Sequence, residues 1–167
     1  MLQAGSSDLG RFTLEGSRAG AALLMHASLH VIGRRGFGTL VERNLANASK
    51  LASLVAASHD FELLQPSNLN IVLYRYVPEH LRSVVRRGLT ADEQLHLNAL
   101  NQELQQRQYG EGRSLVSRTT LCSLEGYRGT PIVALRAVLG NPRVHEGDMT
   151  SMLADQRRIA GLIPRKA

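Results

Sequence analysis

The sequence predicts an α+β protein, in which N-terminal helices are followed by a small antiparallel sheet with helices packed on one face. Three observations support this fold class. Apolar residues recur at helical spacing in four segments, and strand-like segments occur as two pairs. A helical segment also follows each pair. The resulting order, α-α-β-β-α-β-β-α, joins hairpins through helices and therefore indicates antiparallel strands beside a helical layer.

Two helices are predicted before the first strand. Residues 17–32 are almost all small or apolar, which is typical of a helix buried on most of its circumference. Gly33 and the following "RRGFG" stretch predict the end of this helix. Thr39 and Glu42 have capping-box spacing, and apolar residues follow at helical intervals, so a second helix is predicted to about Ala57.

Four strands are predicted in two pairs, and the segments of the first pair are β-rich and alternate. The first pair covers 60–64 and 69–77, with "QPSN" as the turn between them and Pro78 closing the hairpin. The stretch "LRSVVRRGL" that follows is interpreted as a polar connection. The second pair covers 114–122 and 130–139, separated by "EGYRG".

Two further helices are predicted beside these strands. Thr90 and Glu93 form a capping box that starts a helix to about Gln108. Its inward residues are Leu97, Leu100 and Leu104. A last amphipathic helix ends before Pro164, and its apolar residues are Met149, Met152, Leu153, Ile159 and Ala160.

The composition is that of one soluble domain. The chain has 167 residues, 43% of them hydrophobic, and its single cysteine fits a reducing compartment. No run of about 18 apolar residues and no signal-peptide pattern is found, so no membrane association and a cytoplasmic location are predicted. The net charge of +6 raises the question of nucleic acid. The arginines are scattered without interleaved aromatic residues, which favours a solvated basic surface instead.

Few residues suggest chemistry on their own. His26 and His30 have the i, i+4 spacing of a metal pair on a helix, but the sequence places no third ligand nearby. Packing, or a hydrogen bond to a partner, is the favoured interpretation of this pair. Cys122 lies in a strand pattern, where a small buried hydrophobe is the default over a nucleophile. No Walker-type loop, G-x-S-x-G motif or Cys/His cluster occurs.

Arg136 is the strongest candidate for a binding residue. It interrupts "PIVALRAVL", a strand pattern that is otherwise apolar on both faces. A buried guanidinium is costly unless an anion pairs with it. Two interpretations follow: a structural pair with an Asp or Glu, or a site for a ligand carboxylate or phosphate, which the planar fork of arginine suits.

Several stretches resemble the group II pyridoxal-phosphate-dependent amino-acid decarboxylases. These are "TLEGSRAGAALLMHASLHVIGRRGFG", "HDFELLQPSNLNIVLYRYVP" and "IVALRAVLGNPRVHEGDM", which occur here in the family's order. The resemblance extends over nearly the whole chain. "SSDLGRFTLEGSR" and "EGRSLVSRT" look closest to the bacterial pyridoxal-dependent aspartate 1-decarboxylase branch. The resemblance implies the small C-terminal domain of a fold-type I enzyme, with residues 1–16 as a lead-in and 17–163 as that domain.

The resemblance also implies site residues and a reaction. In the family the cofactor ring is the electron sink when CO2 leaves an amino acid, here an acidic or related one such as aspartate, glutamate or 2,4-diaminobutyrate. Arg136 matches a strand arginine associated with the substrate carboxylate. Gly16, Ser17 and Arg18 match the turn that approaches the cofactor phosphate across a homodimer interface. Ser17 stands where the family often has glycine.

The lysines argue against an independent enzyme. In the family the cofactor lysine lies in a His-Lys motif upstream of the "GSR" turn, and neither Lys50 nor Lys166 has that context. The resemblance therefore implies a truncated product or one half of a split protein, inactive alone. A large cofactor-lysine domain or a complementary subunit would be its partner, and the N-terminal helix predicts self-association. A non-catalytic, partner-binding α+β module is the alternative.

Overall fold

The structure, a computed structural model, describes residues 20–67, 69–85, 87–122 and 130–164. It consists of helices and an antiparallel four-stranded sheet, which confirms the predicted α+β fold class. None of the helices in these ranges is both long and apolar enough to cross a membrane. The elements are α1 (Ala21–Ala57), β1 (Phe61–Leu63), β2 (Ile71–Tyr76), α2 (Glu79–Val85), α3 (Ala91–Glu111), β3 (Ser117–Leu121), β4 (Ile132–Val138) and α4 (Glu146–Gly161).

α1 is interrupted at Gly33, where the sequence predicted a helix end. Its φ of 68° and ψ of 168° are not helical, and the positive φ is one that glycine adopts without strain. The predicted helix start at Thr39 is wrong, because helix already precedes that residue. Thr39 Oγ1 donates to the carbonyl of Arg35 at 3.2 Å, inside the helix, so Thr39 and Glu42 do not form the predicted capping box.

The chain divides into two compact units, Met1–Thr39 and Leu40–Ala167. In the first unit the described residues from Ala21 onward belong to α1. Their large apolar side chains are exposed in the structure, in agreement with the exposed apolar surface predicted for this helix when no partner covers it. These side chains are Leu23, Leu24, Met25, Leu29, Val31 and Ile32.

The second unit is built around the sheet, in the order β1–β2–β4–β3, with every neighbouring pair antiparallel. All four predicted strands are present, although each is shorter than predicted. The register places Tyr74 opposite Leu135, and Leu73 opposite Arg136. Because successive residues point to opposite faces, Tyr74 and Leu135 share one face while Leu73 and Arg136 share the other.

The main core lies on the face that carries Tyr74. The C-terminal part of α1, α3 and α4 contribute to it through buried residues that include Leu51, Val55, Leu104, Leu153 and Ile159. Within this core the Tyr74 hydroxyl lies 3.1 Å from Gln156 Oε1, and Gln156 Nε2 donates to Gln108 Oε1 at 3.3 Å. Burial raises the pKa of the Tyr74 phenol, so it stays protonated and its hydrogen bond is retained.

α2 corrects the interpretation of "LRSVVRRGL" as a connection. Leu81 is buried against Val77 and Leu97, and this packing makes a helix of a segment too short and too polar to show a clear period.

The predicted capping box of α3 is confirmed. Thr90 N donates to Glu93 Oε2 at 2.8 Å, and Glu93 N donates to Thr90 Oγ1 at 3.3 Å. The bonds that Thr90 N and Thr90 Oγ1 donate to the Glu93 carboxylate lower its pKa.

Two asparagines of α3 continue the ladder where β2 and β4 stop pairing. The Asn101 carboxamide accepts from Tyr76 N at 2.8 Å and donates to Tyr76 O at 2.9 Å. Asn98 Oδ1 accepts from Val133 N at 2.9 Å. The backbone groups that the strands leave unpaired are therefore satisfied by side chains of the helix, which fixes α3 against the end of the sheet.

Candidate functional site

Arg136 lies in β4, a central strand, on the face opposite the main core. It is opposite Leu73 of β2 on one side and Ser117 of β3 on the other. Ser117 Oγ donates to the carbonyl of Arg136 at 3.0 Å. Val138, two residues along on the same face, is 50% exposed. Arg136 therefore belongs to a part of the sheet that solvent reaches.

Arg136 is partly exposed, not buried as its apolar strand pattern predicted. No hydrogen bond or ion pair joins its side chain to a residue in the described ranges. The first interpretation from the sequence, a structural pair with an Asp or Glu, therefore has no partner among those residues. The arrangement leaves a cationic fork on an accessible sheet face, which can bind a carboxylate.

The buried arginine of the sheet is Arg75, which the sequence reasoning did not single out. Its side chain is 0% exposed, and Nε lies 2.5 Å from Glu62 Oε2. Glu62 is the register partner of Arg75 across the β1–β2 pair. An acidic residue in the first strand of a hairpin and an arginine in the second could have indicated this pair, because cross-strand neighbours share a face.

A chain of hydrogen bonds extends from Arg75 into α3 and β4. Arg75 Nη1 donates to Gln94 Oε1 at 3.1 Å, and Gln94 Nε2 donates to Asn98 Oδ1 at 2.8 Å. Asn98 in turn donates through Nδ2 to the Pro131 carbonyl at 2.8 Å. The two arginines on this face therefore have different surroundings. Arg75 joins structural elements through its hydrogen bonds, whereas the guanidinium of Arg136 has no hydrogen-bond or ion-pair partner among the described residues.

The remaining candidates of the second unit do not gather around Arg136. Cys122 is exposed, so its interpretation as a buried hydrophobe is wrong. Lys50 forms a surface ion pair with Glu146, with Nζ 3.1 Å from Oε2, and its side chain is 50% exposed. Lys50 is the one lysine in the described ranges, and as a surface lysine it does not fit a covalent bond to pyridoxal phosphate.

In the first unit, the His26 and His30 rings lie 4.4 Å apart, centroid to centroid, in an edge-to-face arrangement. Within the part of the chain that the structure describes, no third His, Cys, Asp or Glu joins them in a metal-binding group. Gly16, Ser17 and Arg18, predicted to contact the cofactor, lie outside the described residues, as does Lys166. Their predicted roles stay predictions.

Comparison with known sequences gives two informative relatives, although no protein-family model matches the chain. The aspartate 1-decarboxylase of Aliivibrio fischeri is 38% identical over 165 residues, which cover 96% of this chain and 30% of the relative. The aromatic-L-amino-acid decarboxylase of Bacillus atrophaeus is 24% identical over 156 residues, covering 93% of this chain and 29% of the relative. The chain thus spans about 30% of the length of these curated relatives.

Solved structures share the fold. Mouse CSAD matches with a TM-score of 0.74 at 19% identity, over 92% of this chain and 30% of that protein. The glutamate decarboxylase domain of a Vibrio parahaemolyticus diaminobutyrate-pyruvate transaminase and L-2,4-diaminobutyrate decarboxylase matches with a TM-score of 0.66 at 22% identity. That match covers 85% of this chain and 26% of that protein. The α+β arrangement of this chain therefore recurs as one part of longer proteins.

Proposed function

Because the chain is homologous to the pyridoxal-phosphate-dependent group II amino-acid decarboxylases and corresponds to their C-terminal part, we propose that it contributes the substrate-carboxylate contact of such an enzyme. Arg136 is the residue we assign to this contact. The amino acid that carries the carboxylate is, in this proposal, aspartate or a related acidic amino acid. The 38% identical Aliivibrio fischeri relative is an aspartate 1-decarboxylase, which supports that choice.

One observation carries the proposal: the fork of Arg136 has no anionic partner among the described residues. Its register neighbours Leu73 and Ser117 are uncharged, so they do not compete for the guanidinium. Arginine holds a carboxylate through two parallel N–H···O bonds, which fixes the orientation of the bound group as well as its position. Orientation matters here because the bond to the departing carboxylate has to be aligned with the cofactor.

The other half of the site is proposed to come from elsewhere. Gly16, Ser17 and Arg18 would lie at the edge of the cofactor, and residues 17–163 would form the small domain. The cofactor lysine would belong to a large domain, in the same longer polypeptide or in a complementary subunit. The described residues offer no suitable lysine, so no step of the reaction is assigned to the cofactor on this chain.

The first unit supports the need for such a partner. Leu24 and Val31 of α1 are 69% and 86% exposed, and the other large apolar side chains of this segment are exposed with them. A helix with this much exposed apolar surface is stabilised when a second surface covers it. We assign that surface to the large cofactor domain, and to a second copy of the chain when that domain is absent.

A chimera tests the role of Arg136. The part of the Aliivibrio fischeri enzyme that matches this chain is replaced by the chain, and CO2 release from aspartate is measured. In that chimera, Arg136→Met is expected to lower kcat/KM by about 10- to 100-fold, because a charged hydrogen-bonded contact to the carboxylate is lost. Cofactor content is measured by absorbance in every variant.

Arg143→Met is the matched control, because the Arg143 side chain has no hydrogen bond or ion pair to a described residue. It is expected to leave kcat/KM unchanged. If the cofactor-loaded Arg136→Met chimera decarboxylates aspartate as well as the unsubstituted chimera does, the assignment is wrong. A chimera that binds the cofactor and has no activity with any amino acid would instead favour a non-catalytic module.

A further inference from the structure

A cleft separate from Arg136 opens between the C-terminal end of α1, β1 and α2. Its volume is about 680 Å³, within the range of small-molecule sites. Much of its wall is apolar, formed by side chains that include Phe61, Leu63, Val77 and Val85. Arg82 of α2 is the one arginine among the described residues that line it. Among those residues, the cleft therefore combines an apolar wall with a single guanidinium.

Arg82 has no hydrogen-bond or ion-pair partner among the described residues. Its Nε is buried without a hydrogen bond, and no ion pair to a described residue involves its guanidinium. A buried N–H group without an acceptor is unfavourable, because it has lost its water and gained nothing in return. Arg82 as a whole is half-buried and lines the cleft, so the cleft favours a ligand that carries an acceptor for its guanidinium.

The two carboxylates nearest in sequence to β1 are already engaged. Asp60 is held in a fork by Arg157, with Nε–Oδ2 at 2.5 Å and Nη2–Oδ1 at 3.0 Å. Glu62 accepts from Arg75 at 2.5 Å. Neither of them forms an ion pair with Arg82, although the charge of Arg82 helps to lower the pKa of Asp60. A ligand in the cleft can therefore supply the acceptor that these two carboxylates do not.

The surroundings limit the charge of that acceptor. Ala56 and Ala57, at the C-terminal end of α1, line the cleft, and a helix C-terminus carries partial negative charge. Glu62 also lines the cleft, and its carboxylate is paired with Arg75. A doubly charged phosphate would meet the partial negative charge of the helix end with Arg82 as the one described arginine of the wall to offset it. A singly charged carboxylate matches one guanidinium, and an apolar body attached to it would cover the wall.

We propose that this cleft is a binding site for a small monocarboxylate with an apolar body, held by Arg82. The site is distinct from the contact assigned to Arg136, since neither Arg136 nor its register neighbours line the cleft. It requires neither the cofactor nor a large domain.

An NMR titration of the full chain with 3-phenylpropionate tests the proposal. Saturable shifts are expected at the backbone amides of His59, Ser83 and Val85, which line the cleft. Arg82→Met should weaken binding by about tenfold or more, since a charge-assisted contact is lost. Arg143→Met, which removes an arginine elsewhere, should leave the affinity unchanged. Arg82→Gln provides a second variant if the Met variant fails to fold, judged by the dispersion of its amide signals.

Two further probes test the chemistry of the ligand. 3-Phenylpropanol keeps the apolar body without the charge, and inorganic phosphate keeps an anion without the body. Each should bind about tenfold more weakly than the carboxylate. Equal affinity in a folded Arg82 variant, shifts that do not saturate, or phosphate binding as tight as that of the carboxylate would overturn the proposal.

Discussion

Arg75 Nε lies 2.5 Å from Glu62 Oε2 across the β1–β2 pair, and this contact makes Arg75 the buried arginine of the sheet. The side chain of Glu62 is 22% exposed, whereas that of Arg75 is fully enclosed. The hydrogen bond from Arg75 to Gln94 extends the contact to α3. Arg75 therefore links two strands and a helix through one guanidinium.

Replacing Arg75 should destabilise the fold far more than replacing Arg136. Arg75→Met removes the bonds that Arg75 donates to Glu62 and Gln94 inside the fold, and a loss of about 2–4 kcal/mol in unfolding free energy is expected. Arg136→Met orphans no described carboxylate, so its cost should stay under about 1 kcal/mol. Urea unfolding followed by circular dichroism measures both variants. Equal losses would contradict the distinction drawn between the two arginines.

Asn101→Leu should also be strongly destabilising. The substitution removes the acceptor for Tyr76 N and the donor for Tyr76 O, so two backbone groups at the end of the sheet lose their partners. The expected loss is about 2–4 kcal/mol in unfolding free energy. Gln102→Leu, at an exposed position of the same helix, is the control and should change stability by less than about 0.5 kcal/mol. If the two variants lose the same unfolding free energy, Asn101 does not hold the backbone ladder.

The Asp60–Arg157 pair should make stability depend on pH in the acidic range. Burial acts to raise the pKa of Asp60, but the hydrogen bonds and charge of Arg157 outweigh it, so the pKa is lowered from 3.8. A lowered pKa in the folded state means that the pair stabilises fully above the unfolded pKa. This contribution is lost as the pH falls through the folded value.

Asp60→Asn should therefore cost about 0.5–1 kcal/mol at neutral pH, a modest figure because Arg157 is 42% exposed. The cost should shrink as the pH is lowered below 3.8. Thermal unfolding at a series of pH values measures it, with the exposed Glu42→Gln as the control. A cost that is constant across the acidic range would contradict the assigned pair.

Pyridoxal phosphate should form no stoichiometric covalent adduct with this chain. Lys50 is paired with Glu146 at the surface, and its side chain is 50% exposed. The chain is mixed with the cofactor and scanned for the absorbance band of a lysine adduct, and decarboxylation is assayed in the same samples. A stoichiometric band that disappears in Lys50→Ala would refute this prediction.

The chain should self-associate through the exposed side chains of α1. Leu24→Ser combined with Val31→Ser removes two large apolar side chains of this segment and should shift the chain toward monomer in sedimentation velocity. Val138→Ser, which changes an exposed apolar residue of the second unit, is the matched control and should leave the distribution unchanged. A parent chain that is monomeric at high concentration would contradict the prediction.

Local patterns were sufficient to predict most of the elements. The Thr90–Glu93 box is a contact between residues three apart, so its geometry follows from the helix itself. Strand-like segments between turn residues identified all four strands, and the positive φ of Gly33 agrees with the helix end predicted there. The antiparallel α+β arrangement follows from the order of these elements, because helices that join hairpins leave few other topologies.

Tertiary structure alone decided which arginine is buried. Arg75 and Arg136 both interrupt apolar strands, and both lie on the same sheet face. Around Arg75 the hairpin supplies Glu62 and α3 supplies Gln94, whereas Arg136 has Leu73 and Ser117 beside it. These neighbours come from distant parts of the sequence. Burial depends on which side chains folding brings against a residue, and hydrophobic periodicity records only the face on which that residue lies.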